Sequence, residues 1–173
     1  GLVGESGSGK TMIARAIMRL LPPWLLEMEG TLAFEGMDLA SLSSREMQRI
    51  RGNKIAMIFQ EPMTSLNPLM TVGEQIEEAL AVHGCSSRRE RARRILKLLE
   101  DVRFSKPNEI ATMYPHELSG GMRQRAMIAM ALSNTPILLI ADEPTTALDV
   151  TIQQEVMEIL IKLREQYNLS VLF

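Results

Sequence analysis

The sequence predicts an α/β domain with a mostly parallel sheet core and an α-helical subdomain inserted near residues 70–118. Three observations carry this reading. A glycine-rich loop, residues 4–9, runs directly into a stretch with helical apolar spacing. An apolar run, residues 137–141, ends on two adjacent carboxylates, Asp142 and Glu143. Between that run and an earlier strand candidate, residues 54–59, the patterns are helical. Strands joined through helices line up in parallel.

In chain order, Leu2 and Val3 read as the tail of a strand. Residues 10–21 follow as a helix with Ile13, Ala16, Ile17, Leu20 and Leu21 as its apolar stripe, stopped by Pro22 and Pro23. Residues 31–34 read as a short strand between glycines, and residues 44–50 as a short helix capped by Ser43 or Ser44. After the strand at 54–59 comes a turn-rich stretch, 61–68, with two prolines and Asn67. Residues 71–82 and 88–99 read as helices, the second with Ile95, Leu96, Leu98 and Leu99 on its apolar face. A further helix begins at Ser119 and runs to about Leu132, ended by Asn134 and Pro136. Residues 137–140 are a buried strand, 151–166 a helix, and 170–173 a strand broken off mid-run. The chain therefore reads as one partial domain, 1–173, cut short at both ends.

Composition narrows the function classes. The chain of 173 residues is long enough for one domain with a real core, and 46% hydrophobic with 23% charged residues is ordinary for a globular protein. A net charge of −2 gives no general electrostatic reason to bind nucleic acid. The single cysteine, Cys85, cannot form an internal disulfide, so the cytosol is the default compartment. No apolar run approaches the ~18 residues of a membrane span.

The motif Gly4-Glu5-Ser6-Gly7-Ser8-Gly9-Lys10-Thr11 fits G-x-x-x-x-G-K-[ST], the phosphate loop of P-loop NTPases. Glycines let the backbone curl so that several N–H groups face one anion, and the following helix adds its positive end. Lys10 supplies a charge for the β- and γ-phosphates, and Thr11 a hydroxyl for Mg²⁺. In a parallel sheet, ligands gather at the carboxyl ends of strands. Asp142 is thus expected near the phosphate loop as a second Mg²⁺ group, and Glu143 as the base that takes a proton from an attacking water.

Further motifs are similar to those of ABC ATPases. Leu118-Ser119-Gly120-Gly121-Met122-Arg123-Gln124-Arg125 resembles their signature, Gln60 their glutamine loop, Asp142-Glu143-Pro144-Thr145 their acidic motif and Ala147-Leu148-Asp149 the loop after it. Many members have Gln where this chain has Met122. Taken by itself, Ser119 is a helix N-cap, and Gly120 and Gly121 expose N–H groups at a helix start. The resemblance implies an ABC-type nucleotide-binding domain that takes ATP and Mg²⁺, with Thr11, Gln60 and Asp142 serving the metal. It implies a head-to-tail dimer with a second ABC ATPase domain, identical or not. There the signature, Ser119, Gly120 and Gly121, closes with Asp149 on the other domain's nucleotide. An adenine-stacking aromatic residue and a switch histidine are expected outside residues 1–173.

Finer resemblance points to ATPases of bacterial dipeptide and oligopeptide importers, a group that includes nickel importers. It rests on Phe59-Gln60-Glu61-Pro62-Met63-Thr64-Ser65-Leu66-Asn67-Pro68 and on Tyr114-Pro115-His116-Glu117. It implies permease subunits in the membrane as partners, touched by the loop after Gln60 and by the helical block, and a solute-binding protein upstream. The expected location is peripheral, on the cytoplasmic face of the bacterial inner membrane. The alternative is a soluble ABC ATPase acting on the ribosome or on DNA. The stretch from Gln60 to Leu118 is too short for the long coiled coil of chromosome-type members. A catalytically dead cassette is a further rival, and the intact Lys10, Asp142 and Glu143 argue against it.

Other residues read as structural. Arg88, Arg89, Arg91, Arg93 and Arg94 are taken as a solvated helix face. His83 and His116 lack ligand-spaced partners. Trp24 is taken as a packing residue, and the 13 methionines as core or interface filler.

Overall fold

Three parallel strands in the order β3-β4-β5 form the centre of the molecule: Ile55–Ile58, Leu138–Ala141 and Ser170–Leu172. The computed structural model describes residues 1–173 except 6, 23, 25–28, 61–64, 86 and 146–147. Pleating sends alternate side chains to opposite faces. Ala56, Ile58 and Leu139 therefore join one apolar cluster, while Ile55, Met57 and Ile140 join another. A sheet buried on both faces needs near-continuous apolar strands, and all four residues of β3 are buried.

One face is covered by α1 (Lys10–Ile17) and α2 (Ser44–Ile50), through Ala14, Met18, Met47 and Ile50. Between those helices β1 (Ala33–Phe34) and β2 (Met37–Asp38) form a separate antiparallel hairpin. The opposite face carries α3 (Val72–Val82), α4 (Arg88–Asp101), α5 (Pro107–Thr112), α6 (Gly120–Ala131) and α7 (Val150–Gln166). Ile76, Leu80, Leu99 and Val102 share one cluster with Met127, Ile128, Ile159 and Leu163. The helices of residues 72–112 thus pack into the same core as α6 and α7. Full burial of each such side chain contributes about 1.5–3 kcal/mol.

Local signals set most boundaries. Ser43–Glu46 and Thr71–Glu74 are reciprocal capping boxes for α2 and α3. Ser87, Ser119 and Asp149 cap α4, α6 and α7. The first helix departs from expectation: it ends at Ile17 rather than near Leu21. Arg19 takes φ 48°, and its N–H bonds Ala16 O at 2.9 Å while Leu20 N–H bonds Arg15 O at 2.8 Å. This pair of bonds is a Schellman stop with arginine in the usual glycine place. Arg51 holds it by donating to Met18 O at 2.7 Å and Arg19 O at 2.6 Å. Burial in this segment falls on Ala14 and on the cap residue Met18, while Ile13 and Leu20 are exposed.

Candidate functional site

The described residues of 4–9 form a glycine-dependent loop that runs into α1 at the carboxyl end of the sheet. Gly7 and Gly9 stand at φ 81° and 92°, a region costly for any residue with a Cβ. At Gly4 a Cβ would lie 2.5 Å from Ser8 Oγ. Gly9 immediately precedes α1, so the first-turn N–H groups of that helix face the loop. Leu2 N–H donates to Phe173 O at 2.8 Å, which sets the start of the loop beside the end of β5. Lys10 Nζ folds back into the loop and donates to Gly4 O and Glu5 O, both at 2.9 Å. Ser6 lies outside the described residues.

Sheet register brings the remaining polar groups together. Ile58 pairs with Ala141, and Asp142 N–H extends the pairing to Ile58 O at 3.1 Å. Two residues past the paired position on each strand stand Gln60 and Glu143. Gln60 Nε2 donates to Glu143 Oε2 at 3.0 Å. Thr11, one residue into α1, donates its hydroxyl to Asp142 Oδ1 at 3.0 Å. Lys10 Nζ lies 3.5 Å from Glu143 Oε1. Five side chains from three segments distant in sequence are thereby brought together in two bonded sets, Thr11 with Asp142 and Lys10 with Glu143 and Gln60. Asp142 is buried, whereas Glu143 is partly exposed and takes φ 47°, an unusual conformation for a residue with a side chain. A cavity of about 110 Å³ opens here, lined by Lys10, Ala14, Asp142, Glu143, Leu172 and Phe173 among others.

The arrangement can bind a polyanion at the loop amides and Lys10, and can set a carboxylate beside its far end. Thr11 and Asp142 offer two hard oxygen ligands 3.0 Å apart, which suits Mg²⁺, a cation that keeps several waters and takes few protein ligands.

A second group lies elsewhere. Ser119 Oγ accepts from Met122 N–H at 3.3 Å, and Ser119 and Gly120 are exposed at the start of α6. Asp149 is exposed at the start of α7, its carboxylate accepting from Ile152 N–H at 3.0 Å. Among the described residues no hydrogen bond or ion pair joins Ser119, Gly120, Gly121 or Asp149 to residues 4–11. The chain thus carries two separated helix starts, one with a lysine and a carboxylate pair beside it and one without.

Several residues that matter to this geometry escaped the motif reading. Gln153 donates to Thr145 O and Leu148 O, both at 3.0 Å, and so fastens the loop leaving Glu143 to α7. Gln75, only 6% exposed, clasps Asn67 and Met70 and leaves Leu69 standing 85% exposed. A lone glutamine inside an amphipathic helix carries no motif; its burial is the signal, and that needs the fold. The arginine cluster also divides. Arg91 pairs with Glu77 at 3.1 Å, and Arg94 donates to Ser133 O at 2.8 Å, while Arg88, Arg89 and Arg93 are exposed. Trp24, expected to pack, is 80% exposed.

Comparison with known proteins shows the family. A family profile described as ABC transporter matches residues 1–146. The chain is 53% identical over 174 residues to a probable peptide ABC transporter ATP-binding protein, y4tR, of Sinorhizobium fredii, covering 100% of this chain and 52% of that protein. It is 52% identical over 173 residues to the oligopeptide transport ATP-binding protein OppD of Bacillus subtilis, covering 99% of this chain and 48% of that protein. The chain spans about half the length of the curated relatives it matches. Among solved structures, the ATP-binding cassette MJ0796, as a post-hydrolysis dimer bound to ADP and Pi, superposes with a TM-score of 0.81 at 35% identity. That match covers 97% of this chain and 70% of that one. The chain therefore belongs to the ABC transporter family and forms part of its ATP-binding domain.

Proposed function

We propose that the chain is the ATP-binding and ATP-hydrolysing core of an import ATPase subunit, energising uptake of di- or oligopeptides or of nickel. The observation that carries the ATPase part is the convergence of Lys10, Thr11, Gln60, Asp142 and Glu143, through contacts of 3.0–3.5 Å, at the mouth of a glycine loop. Names of relatives such as y4tR and OppD support peptides as the cargo class.

Gly4, Glu5, Ser6, Gly7, Ser8 and Gly9 wrap the triphosphate with backbone N–H groups. Lys10 exchanges its carbonyl partners for β- and γ-phosphate oxygens. Thr11, Asp142 and Gln60 would hold Mg²⁺, which would supply charge neutralisation at the triphosphate. Glu143 orients a water in line with the γ-phosphate and accepts its proton. Catalysis here is positioning and electrostatics, and the sheet register that pairs Gln60 with Glu143 supplies the positioning.

Ser119, Gly120, Gly121 and Asp149 form a half site that completes the nucleotide site of a second ABC domain, identical or not, in a head-to-tail dimer. The MJ0796 cassette, which is dimeric, supports this reading. Residues 70–118 act as the helical subdomain. The loop after Gln60 meets permease subunits at the cytoplasmic face of the bacterial inner membrane, with a solute-binding protein upstream. In support, Leu69 is held out into solvent by the Gln75 clasp. Among the described residues no helix is long and apolar enough to cross a membrane.

The test is ATP-driven dimerisation of full-length Glu143→Gln, read by light scattering. The reading expects dimers with Mg·ATP and monomers with ADP. Monomers under both conditions would remove the shared-site mechanism.

A further inference from the structure

Gly121 does more than bare a backbone amide. A Cβ built on it would fall 2.7 Å from Ile152 Cγ2, with Cδ1 and Cγ1 at 3.6 and 3.7 Å. Real Cβ atoms do not approach carbon so closely, so with Gly121 and Ile152 both partly buried an added Cβ would force one helix start to shift against the other. The first turn of α6 is therefore seated on the first turn of α7, the branched Cβ of Ile152 fitting where Gly121 lacks a side chain. Gly120 sits next to this contact, its added Cβ 3.7 Å from Leu148 Cδ2. One turn further along, Arg125 pairs with Glu155 at 3.2 Å, so the two helices stay in register beyond the glycine.

The same turn of α7 is fastened to the acidic strand end. Asp149 caps it, and Gln153 holds Thr145 O and Leu148 O. Ile152 thus lies between two features that have no direct bond among the described residues: the loop leading from Glu143, and the Ser119–Gly121 turn.

We propose that Ile152 is the positioning residue of the signature turn, setting through its fit against Gly121 where Ser119 and Gly120 are presented to the partner's nucleotide. This rests on the shared-site reading above. In that arrangement α7 carries the position of the cleaving strand end to the half site of the same chain. The missing side chain at Gly121 is then required by Ile152, while its backbone N–H still belongs to the half site.

The geometry makes an unusual discrimination available. The crowding atom is Cγ2. Valine at 152 keeps both γ-carbons in place, because a β-branched side chain holds one χ1 in a helix. Leucine has a single γ-carbon and removes the crowding at nearly the same volume. The experiment uses the full-length protein with Glu143→Gln as background, and measures ADP affinity, ATP-driven dimerisation and melting temperature. Gly121→Ala should leave ADP affinity within about twofold and weaken dimerisation by about tenfold. Adding Ile152→Leu should restore dimerisation, and adding Ile152→Val should not. Should Gly121→Ala fail to fold, recovery of a folded, dimerising protein by Ile152→Leu and not by Ile152→Val is the same result. Ile152→Ala alone, which unseats the turn without adding an atom, should weaken dimerisation with ADP affinity unchanged. Equal rescue by leucine and valine, rescue by neither, or full dimerisation of Ile152→Ala would overturn the proposal. Because the Glu143→Gln background dimerises in the control, such a failure is separate from failure of the shared site itself.

Discussion

Removing one hydroxyl, by Tyr167→Phe, should loosen the helical layer from α7 and change how stability responds to acid. Tyr167 follows the last residue of α7, and Asp101 is the last residue of α4. The phenol donates to Asp101 Oδ2 at 2.6 Å, and Lys97 Nζ reaches Oδ1 at 2.9 Å. The carboxylate is only 7% exposed. Burial alone would raise the Asp101 pKa. Hydrogen bonds from Tyr167, Lys97 and Gln166 outweigh it and hold the group below its ordinary value of 3.8. Burial, and then the same bond, push the Tyr167 phenol well above its own ordinary range. A hydrogen bond to a buried charge contributes roughly 1.5–3 kcal/mol, so Tyr167→Phe should cost about 2 kcal/mol at neutral pH.

The sign with pH follows from the depressed Asp101 value. Its stabilisation is fully present above pH 3.8 and is lost as pH falls through the lower folded-state value. The mutant's deficit should therefore be largest near neutrality and shrink toward the ~1 kcal/mol of a neutral hydrogen bond as Asp101 takes up its proton. Urea unfolding at pH 7 and in a series down to about pH 3 measures this. A deficit under about 0.5 kcal/mol at pH 7, or one that grows on acidification, would refute the reasoning.

Two further perturbations probe function. Ser119→Arg should leave the monomer's ATP affinity within about twofold and abolish hydrolysis, since bulk and charge then occupy the half site; normal turnover would contradict this. Mixed with Lys10→Ala, both lesions fall on one composite site, so ATP should still drive mixed dimers together; their absence on a sizing column counts against the reading. Scrambling Met63–Pro68, of which 63 and 64 lie outside the described residues, should cut peptide uptake in vesicles while ATP hydrolysis continues. Uptake at the wild-type rate would show that the contact lies elsewhere.

Much of the site was legible because its chemistry is local. The phosphate loop needs glycines at fixed offsets, and Gly7 and Gly9 do stand at positive φ. The apolar run ending at Asp142 announced its own place, since parallel strands deliver their carboxyl ends to one edge. The fold class followed from the same order of patterns. What lay hidden depended on partners far along the chain. The early end of α1 is written in Arg51, 32 residues beyond the Arg19 carbonyl it holds. The helix Pro107–Thr112 is six residues long and carries little periodic signal beyond the proline in its first turn. The β1–β2 hairpin was half seen, because its turn puts Glu35 at φ 48°, a place where glycine or asparagine is the usual cue. Gly121 read as an exposed amide, and only packing shows what its missing side chain makes room for.

The central claim is that Glu143, held by Gln60 at 3.0 Å and near Lys10 at 3.5 Å, is the base of an ATP-hydrolysing site. Single-turnover hydrolysis of Mg·ATP by the full-length protein, wild type against Glu143→Gln, tests it most directly. The amide keeps the shape of the side chain and cannot take the proton. The account predicts ATP binding preserved and the chemical step slowed at least a hundredfold, within the ~10²–10⁴ range expected of a general base. A Glu143→Gln protein that cleaves bound ATP at close to the wild-type rate would contradict it.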